Sequence, residues 1–286
     1  MSVRPTVATR SPTPRRAVLG ALALSGVAGV GYTLARRTTG GADAASTGPV
    51  DGGWTPPPAS ADWQWQLSGT VNTGYDVALY DVDGFETPRS VLDSLAADGR
   101  YLVAYFSGGS YERWRPDADD FPESVLGTGL DGWPGERWLD VTRHDVLEPI
   151  MRERARLARA KGFDAIEWDN VDVYANPNTG VSVSATDQLA YNRLLARIAH
   201  DHGLAAILKN DAGQAAALEP AFDGCLAEQA YEYDEVDAYA PFLDAGKWLG
   251  VCEYQGPLDC ADARERGLHL IRKQPRLGPG RPVSCG

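Results

Sequence analysis

Eight short apolar segments alternate with helix-like segments from residue 62 onward, and this alternation constrains the fold more than any other feature of the chain. The strand-like segments span residues 63–67, 76–81, 101–106, 165–169, 205–209, 224–228, 248–254 and 267–271. The helix-like segments span residues 88–98, 147–161, 186–202, 212–221 and 235–245. Such alternation predicts an α/β fold, and eight strands favour a closed (β/α)8 TIM barrel with its last helix short or missing. An open doubly wound sheet is the alternative, because a Pro- and Gly-rich tail at residues 276–286 replaces the last helix.

The N-terminal part of the chain differs in kind from the rest. Residues 1–44 have the layout of a twin-arginine export signal: Arg15 and Arg16 precede an uncharged stretch of 19 residues, and small residues at 42–44 offer a cleavage site. An uncleaved membrane anchor is the alternative, since the stretch approaches the length of a span. Residues 45–61 form a Pro- and Gly-rich linker. Residues 62–275 are predicted to form one domain, which we expect to be a secreted monomer without a stable membrane partner.

The charge of the chain limits its partners. The whole sequence has 27 basic and 39 acidic residues, a formal net charge of −12. Removal of residues 1–44 takes away six Arg and one Asp, which leaves 21 basic and 38 acidic residues and a charge of −17. This balance argues against nucleic acid or an anionic membrane as a partner. It is compatible with a cationic partner, or simply with the solubility of an exported protein.

Four cysteines lie in the last quarter of the chain, at positions 225, 252, 260 and 285. In an exported protein they predict one or two disulfides. We expect Cys252 to pair with Cys260, and Cys225 to be a buried free thiol, because it lies in an apolar segment.

No cofactor or metal is expected. His200 and His202 are close in sequence, but they end a predicted helix away from the polar strand ends, which is typical of a solvated helix terminus. The Cys spacing lacks the paired pattern of a zinc site. No Gly-x-Gly-x-x-Gly loop follows the first strand, which weakens a dinucleotide-binding interpretation, and the chain has no Gly-x-Ser-x-Gly nucleophile motif.

Polar or ionisable side chains follow six of the eight predicted strands. In a (β/α)8 barrel these strand ends meet at one face, where active sites are built. The candidates that bind substrate at this face are Asp81, Asp83, Tyr105, Ser107, Glu167, Asn170, Lys209, Asn210, Tyr233, Glu253 and Tyr254. The two aspartates are suited to sugar hydroxyls or an ammonium group, and the tyrosines to stacking on sugar rings.

Two carboxylates on separate strands of one barrel mouth are what cleavage of a glycosidic bond requires. Asp169 ends the fourth strand and Glu228 ends the sixth, so we predict Asp169 as the nucleophile and Glu228 as the general acid/base. Glu167 shares the face of Asp169 and lies one layer deeper as support. The structural alternatives are a loop-capping role for Asp169 and an ion pair with Lys209 for Glu228. Lys209 is expected to hold carboxylates in place, and a Schiff-base role is the alternative.

Seven segments in order carry a resemblance to a known family. They are 63–67 (WQWQL), 81–83 (DVD), 105–112 (YFSGGSYE), 138–140 (WLD), 162–172 (GFDAIEWDNVD), 208–210 (LKN) and 228–229 (EQ). Together they resemble the endo-α-1,4-polygalactosaminidases, glycoside hydrolase family 114, over residues 60–273. The resemblance implies a (β/α)8 barrel that cleaves α-1,4-linked galactosamine polymers inside the chain with retention. It also implies a cationic polysaccharide as the partner, and it places the family's acidic pair on Asp169 and Glu228.

Two rival functions remain open from the sequence. One is a non-catalytic barrel that binds carbohydrate at the same mouth, and the other is a different barrel enzyme that uses Lys209. For a glycosidase, carboxyl oxygens of Asp169 and Glu228 about 5 Å apart would fit a retaining mechanism, and about 8 Å an inverting one.

Overall fold

The structure, a computed structural model, describes residues 53–285. The predicted export signal and the linker as far as residue 52 lie outside the described residues. Between residues 53 and 285 the strands are β1 (Trp63–Gln66), β2 (Leu79–Asp83), β3 (Tyr101–Ser107), β4 (Ser110–Glu112), β5 (Leu126–Gly129), β6 (Glu136–Leu139), β7 (Ala165–Asp169), β8 (Ala205–Lys209), β9 (Gly224–Glu228), β10 (Trp248–Glu253), β11 (His269–Arg272) and β12 (Val283–Ser284). The α-helices in this range are α1 (Arg89–Ala97), α2 (His144–Lys161), α3 (Ala185–Asp201), α4 (Ala215–Leu218), α5 (Ala240–Asp244) and α6 (Cys260–Arg266).

The main sheet contains all eight predicted strands. Its order is β1-β2-β3-β7-β8-β9-β10-β11-β12, and every pair from β1 to β11 is parallel. The short β12 adds antiparallel to β11. The second strand begins later than predicted, at Leu79, and runs through Asp83.

The sheet curls into a (β/α)8-type barrel, which confirms the predicted fold class. Alternate residues of all eight strands face one another and form an inner core, to which Trp63, Leu79, Val103, Ala165, Ile207, Leu226, Trp248 and Ile271 belong. In the described part of the chain, no backbone ladder joins β1 to β11. Side chains connect them instead: Trp63 Nε1 donates to the His269 carbonyl at 3.0 Å, and Lys273 Nζ donates to Gln64 Oε1 at 3.1 Å.

Helices cover the outer face of the sheet. The longest, α2, packs Leu147, Ile150 and Met151 into the outer core and ends at Gly162, whose φ of 86° suits glycine. In the described residues no helix joins β1 to β2 or follows β11, so the last helix is missing as expected. Helix α6 was not predicted from the sequence. None of the helices described between residues 53 and 285 is both long and apolar enough to cross a membrane.

A three-stranded antiparallel sheet, in the order β4-β6-β5, lies between β3 and α2 and was not predicted. We call residues 110–139 the insertion. In it, Ser110 pairs with Trp138, and Glu112 pairs with Glu136. The insertion forms one wall above the end of the barrel where the strands terminate.

The predicted pairing of Cys252 with Cys260 is wrong. Cys260 is bonded to Cys285, whereas Cys252 and Cys225 are not disulfide-bonded. The reason is that Cys252 faces the inner core from β10, while Cys260 and Cys285 both pack with the outer core. The wall of the barrel therefore separates the two cysteines that the spacing suggested.

The disulfide gives a first prediction. It closes a loop with a sequence separation of 25 residues. Replacing Cys260 and Cys285 by Ala is expected to lower the free energy of unfolding by about 3 kcal/mol, because the unfolded chain regains the freedom that the crosslink removed. Urea denaturation with and without a reductant measures this. The wild type should lose stability in reductant and the double variant should not; equal midpoints for the wild type under both conditions would contradict the prediction.

Candidate active site

Lys209 lies at the centre of the polar cluster at the carboxyl edge of the barrel. It ends β8, and its side chain is buried, with an exposed fraction of 2%. Its Nζ lies 3.0 Å from Glu167 Oε1, 3.1 Å from Asp169 Oδ1 and 3.2 Å from Glu228 Oε2. Glu167 and Asp169 come from β7 and Glu228 from β9, the strands on either side of β8. One ammonium group therefore links three carboxylates from neighbouring strands.

The surroundings of Lys209 favour its protonated form. Burial alone lowers the pKa of Lys209, but the carboxylates of Asp169, Glu167 and Glu228 raise this pKa well above its ordinary value. An amine must lose its proton before it attacks a carbonyl carbon. The site thus disfavours a Schiff-base role for Lys209. The side chain acts instead as a fixed cation between the carboxylates.

Asp169 is held from both its side chain and its backbone. Tyr105 donates its hydroxyl to Asp169 Oδ2 at 2.9 Å, and Asn170 Nδ2 donates to the same oxygen at 3.4 Å. The backbone N–H groups of Gly108 and Gly109 donate to the Asp169 carbonyl at 2.7 and 3.1 Å. Glycine is needed at position 109, since a Cβ there would lie 1.8 Å from the Asn170 carbonyl oxygen. The loop after β3 therefore fixes the end of β7.

Glu228 is held in a similar way by the loops around β9. Asn210 Nδ2 donates to Glu228 Oε2 at 3.1 Å, and Glu228 N donates to Asn210 Oδ1 at 2.8 Å. The Tyr254 hydroxyl donates to Glu228 Oε1. Asn170 and Asn210 both follow a strand and have φ values of 60° and 53°, a conformation that Asn tolerates better than most residues. In each case the turn brings an amide back onto a carboxylate.

The separation of Asp169 and Glu228 has an upper limit. Lys209 Nζ is 3.1 Å from Asp169 Oδ1 and 3.2 Å from Glu228 Oε2, so these two oxygens are no farther apart than the sum of the two distances, 6.3 Å. Both side chains remain accessible, with exposed fractions of 18% and 24%.

A second carboxyl pair lies beneath this layer. Asp81 and Glu167 are buried, with exposed fractions of 1% and 0%. Burial raises the pKa of Asp81 well above its ordinary value, and the neighbouring Glu167 carboxyl raises it further. Burial also raises the pKa of Glu167, although Lys209 acts in the opposite direction. The surroundings of Asp81 therefore favour its neutral form.

An open cavity of about 620 Å³ covers this end of the barrel. Among the described residues that line it are eight of the predicted site residues: Asp83, Tyr105, Asp169, Asn170, Lys209, Asn210, Glu228 and Tyr254. Carboxylates and the rings of Tyr105 and Tyr254 therefore share one cavity, a combination that suits the binding of sugars.

Five predicted substrate-binding residues are not among the residues that line the cavity. Asp81, Glu167 and Ser107 are buried below it. Glu253 points to the opposite face of β10 from Cys252 and accepts a hydrogen bond from Tyr231 N at 3.0 Å. Tyr233 lies in the loop after β9, outside the lining. Depth along the barrel thus separates Asp81, Glu167 and Ser107 from the cavity, whereas strand alternation turns Glu253 away from it.

Asp83 lines the cavity but is already engaged. Its Oδ1 accepts from the backbone N–H groups of Phe85 and Glu86 at 2.9 and 2.7 Å, and its Oδ2 pairs with Arg115 at 2.7 Å. Arg115 also binds Glu112 through two hydrogen bonds of 2.8 Å. Asp83 thus anchors the insertion to β2, and the predicted role in binding an ammonium group does not fit these contacts.

The insertion also lines the cavity, and this was not predicted from the sequence. It supplies Glu112, Trp114, Arg115, Trp133 and Glu136 to the lining. Trp114 and Trp133 are exposed by 48% and 42%. The signal that points to Trp133 is its place in a Gly- and Pro-rich turn, where a large apolar residue has no core to join.

The fold and the site define a barrel enzyme whose paired carboxylates suit the cleavage of glycosidic bonds. The model of glycoside-hydrolase family GH114 matches residues 44–283, and the chain belongs to this family. No curated protein gives a match.

Solved structures support the same class. Ega3 from Aspergillus fumigatus, in complex with galactosamine, is 32% identical with a TM-score of 0.75, and the match covers 82% of this chain and 98% of that one. The glycoside hydrolase domain of PelA from Pseudomonas aeruginosa is 15% identical with a TM-score of 0.60, covering 80% of this chain and 99% of that one. The second similarity concerns the fold alone.

The three ion pairs of Lys209 generate a prediction. Replacing Lys209 by Met keeps an unbranched side chain, one atom shorter, and leaves the buried carboxylates without their cation, which should cost about 3–5 kcal/mol of unfolding free energy. Arg152→Met is the matched control, because Arg152 also pairs with two carboxylates, at 2.8 and 2.9 Å, but its side chain is more than a third exposed and lies away from the cavity. Its cost should be about 1 kcal/mol or less. Urea denaturation that finds equal costs for both variants would contradict the central role of Lys209.

Proposed function

We propose that this protein is an exported, retaining endo-α-1,4-polygalactosaminidase, with Asp169 as the nucleophile and Glu228 as the general acid/base. The single observation that carries the proposal is the placement of these two carboxylates on β7 and β9, within 3.2 Å of one buried ammonium group at the floor of an open cavity. The structural alternative, in which both serve only as ion-pair partners, is less favoured because both also line the cavity.

The mechanism proceeds in two displacements. Glu228 donates its proton to the leaving glycosidic oxygen while the Asp169 carboxylate attacks the anomeric carbon, which forms a glycosyl ester and releases the first product. Glu228 then takes a proton from water, and the water oxygen displaces Asp169 at the same carbon. The upper limit of 6.3 Å between Asp169 Oδ1 and Glu228 Oε2 supports this route, because inverting enzymes need room for a water between the carboxyl groups, about 6.5–9.5 Å.

Fixed groups around Asp169 support its role as a nucleophile. Tyr105 and Lys209 hold one oxygen each, at 2.9 and 3.1 Å, so the carboxylate is oriented before the substrate arrives. Such preorganised contacts need no rearrangement during the reaction. Burial raises the pKa of Tyr105 well above its ordinary value, so this hydroxyl remains a hydrogen-bond donor at any physiological pH.

Galactosamine polymer is the proposed substrate class. Ega3, which is 32% identical, binds galactosamine. Polymeric galactosamine with free amines is cationic, and the cavity is lined by more acidic than basic side chains, among them Glu86, Asp131, Glu136 and Asp172. The open cavity and the exposed Trp114 and Trp133 suit a chain that continues beyond the cleaved bond, as cleavage inside a polymer requires.

Export is part of the proposal. The twin-arginine motif and the apolar stretch within residues 1–44 motivate it. The bond between Cys260 and Cys285 supports it, since disulfides persist outside the reducing cytoplasm.

The carboxylate assignment is tested by Asp169→Asn and Glu228→Gln. Each is expected to lower the rate of release of reducing ends from polygalactosamine by about a hundredfold to ten-thousandfold, because each removes one partner of the two-step reaction. Glu253→Gln is the matched control, since this carboxyl also ends a barrel strand but lies outside the cavity. It should retain near wild-type activity. Full activity of either Asp169→Asn or Glu228→Gln would refute the assignment.

The stereochemical course is a separate prediction. NMR of the first-formed products from an α-1,4-linked galactosamine oligomer should show the α anomer, because two displacements restore the starting configuration. The spectrum must be recorded before mutarotation interconverts the two anomers. The control is wild-type enzyme on an oligomer whose own reducing ends have already reached anomeric equilibrium. Initial formation of the β anomer would show inversion and exclude Asp169 as a covalent nucleophile.

A further inference from the structure

Glu136 occupies an unusual position on the wall of the cavity. In the antiparallel pair of β4 and β6 it lies directly opposite Glu112, so two glutamates face each other across one pair of strands. Like charges in this arrangement destabilise a sheet. Both side chains line the cavity, and both residues are buried, with exposed fractions of 7% for Glu136 and 3% for Glu112.

The two glutamates have different partners. Glu112 binds Arg115 through two hydrogen bonds of 2.8 Å, and the same guanidinium pairs with Asp83 at 2.7 Å. Glu136 Oε2 accepts a hydrogen bond from the neutral Ser110 hydroxyl at 3.1 Å. Arg115 is thus already paired with two other carboxylates. Among the contacts of the described residues, no cation binds Glu136 through two hydrogen bonds.

A short chain of contacts joins Glu136 to the nucleophile. Ser110 Oγ, which donates to Glu136, accepts from Asn170 Nδ2 at 3.2 Å, and Asn170 Nδ2 also donates to Asp169 Oδ2 at 3.4 Å. A sugar ring that presents its anomeric carbon to Asp169 therefore lies beside the wall that carries Glu136. The amine of a 2-amino sugar is on the carbon next to the anomeric one.

The charged groups that face Glu136 favour its neutral form. Burial, together with Glu112 of β4 and Asp169 of β7, raises the pKa of Glu136 to about 8, against the opposing effects of the Ser110 hydrogen bond and of Arg115 in the loop after β4. At neutral pH these surroundings favour the carboxylic acid form of Glu136.

We propose that Glu136 selects for a free amine on the substrate, by binding the ammonium group of a hexosamine unit at the wall formed by β4 and β6. The inference rests on the proposed function and deepens it. When the ammonium group binds, the Glu136 carboxylic acid releases its proton to solvent and the resulting carboxylate pairs with the cation. An N-acetylated unit brings no cation, so it leaves Glu136 neutral and gains no such ion pair.

Calorimetric titration tests this selection. The titrations use a Glu228→Gln background, which is expected to bind without turnover, and two probes: a galactosamine tetrasaccharide and its fully N-acetylated form. Adding Glu136→Gln should weaken binding of the free-amine probe by at least tenfold and change binding of the acetylated probe by less than twofold. Glu123→Gln is the matched control, because Glu123 belongs to the insertion but is exposed and lies outside the cavity lining. An equal effect of Glu136→Gln on both probes would overturn the proposal.

Proton release gives an independent readout. At pH 6, where the sugar amines are already protonated and Glu136 still carries its proton, the parent should release close to one proton on binding the free-amine probe. The release is measured as a difference in heat between buffers of different ionisation enthalpy. Glu136→Gln should release none, and Glu136→Asp, which keeps a carboxyl, should restore part of the release. Release that is unchanged in Glu136→Gln would overturn the proposal even if the affinity falls.

Thermal unfolding establishes whether the variants are folded. A raised pKa in the folded protein means that the unfolded chain binds fewer protons between the ordinary pKa of glutamate and about pH 8. The parent is therefore expected to lose stability relative to Glu136→Gln as the pH rises through this range. If Glu136→Gln fails to fold, the comparison of Glu136→Asp with the parent on the two probes decides the question: a lost preference for the free amine or a shifted one supports the proposal, and an identical preference opposes it.

Failure of the proposed function and failure of the role of Glu136 give different results. If the wild type neither binds nor cleaves the free-amine oligomer, the proposed function is wrong. If the wild type does so and Glu136→Gln discriminates between the probes as the parent does, only the role of Glu136 is wrong.

Discussion

The ion pairs of Lys209 are the interaction on which the rest of the site depends. A single buried ammonium group lies within 3.2 Å of carboxylates from β7 and β9. Without it, Glu167 would be a buried charge with no cation beside it, and Asp169 and Glu228 would repel each other across the barrel mouth. The desolvation cost of these charges is offset only because the geometry brings all of them to one nitrogen. The barrel supplies that geometry, because β7, β8 and β9 are adjacent parallel strands whose carboxyl ends lie at one edge of the sheet.

The charged groups of the site lie at different depths in the barrel. At the bottom, burial raises the pKa of Asp81 next to Glu167. Lys209 lies above this pair, and Asp169 and Glu228 lie at the surface of the cavity. The two carboxyl groups assigned to the reaction are therefore the ones that substrate can reach, and the deeper pair supports Lys209 from below. The amides of Asn170 and Asn210 complete this layer through strained turns that aim their side chains back at the carboxylates.

The periodic parts of the molecule were predictable from the sequence, and the non-periodic parts were not. Eight apolar segments located the barrel strands, and the end of a strand located Asp169, Lys209 and Glu228 at one face. The insertion escaped prediction because its strands are short and its pairing depends on register, which no local pattern reveals. The opposition of Glu112 and Glu136 is such a register effect. The cysteine pairing failed for a related reason: spacing along the chain does not tell which side of the barrel wall a residue faces.

The C-terminal segment is rich in Pro and Gly, yet it forms part of the barrel. Leu277 is buried in the inner core, and its carbonyl accepts hydrogen bonds from Leu67 and Ser68 just after β1. Residues 275–277 also line the cavity, and Cys285 fastens the segment to α6. The gap between the first and last parallel strands is thus bridged by the same residues that form part of the cavity wall. A change that loosens this segment would therefore disturb the seam of the barrel and the substrate cleft together.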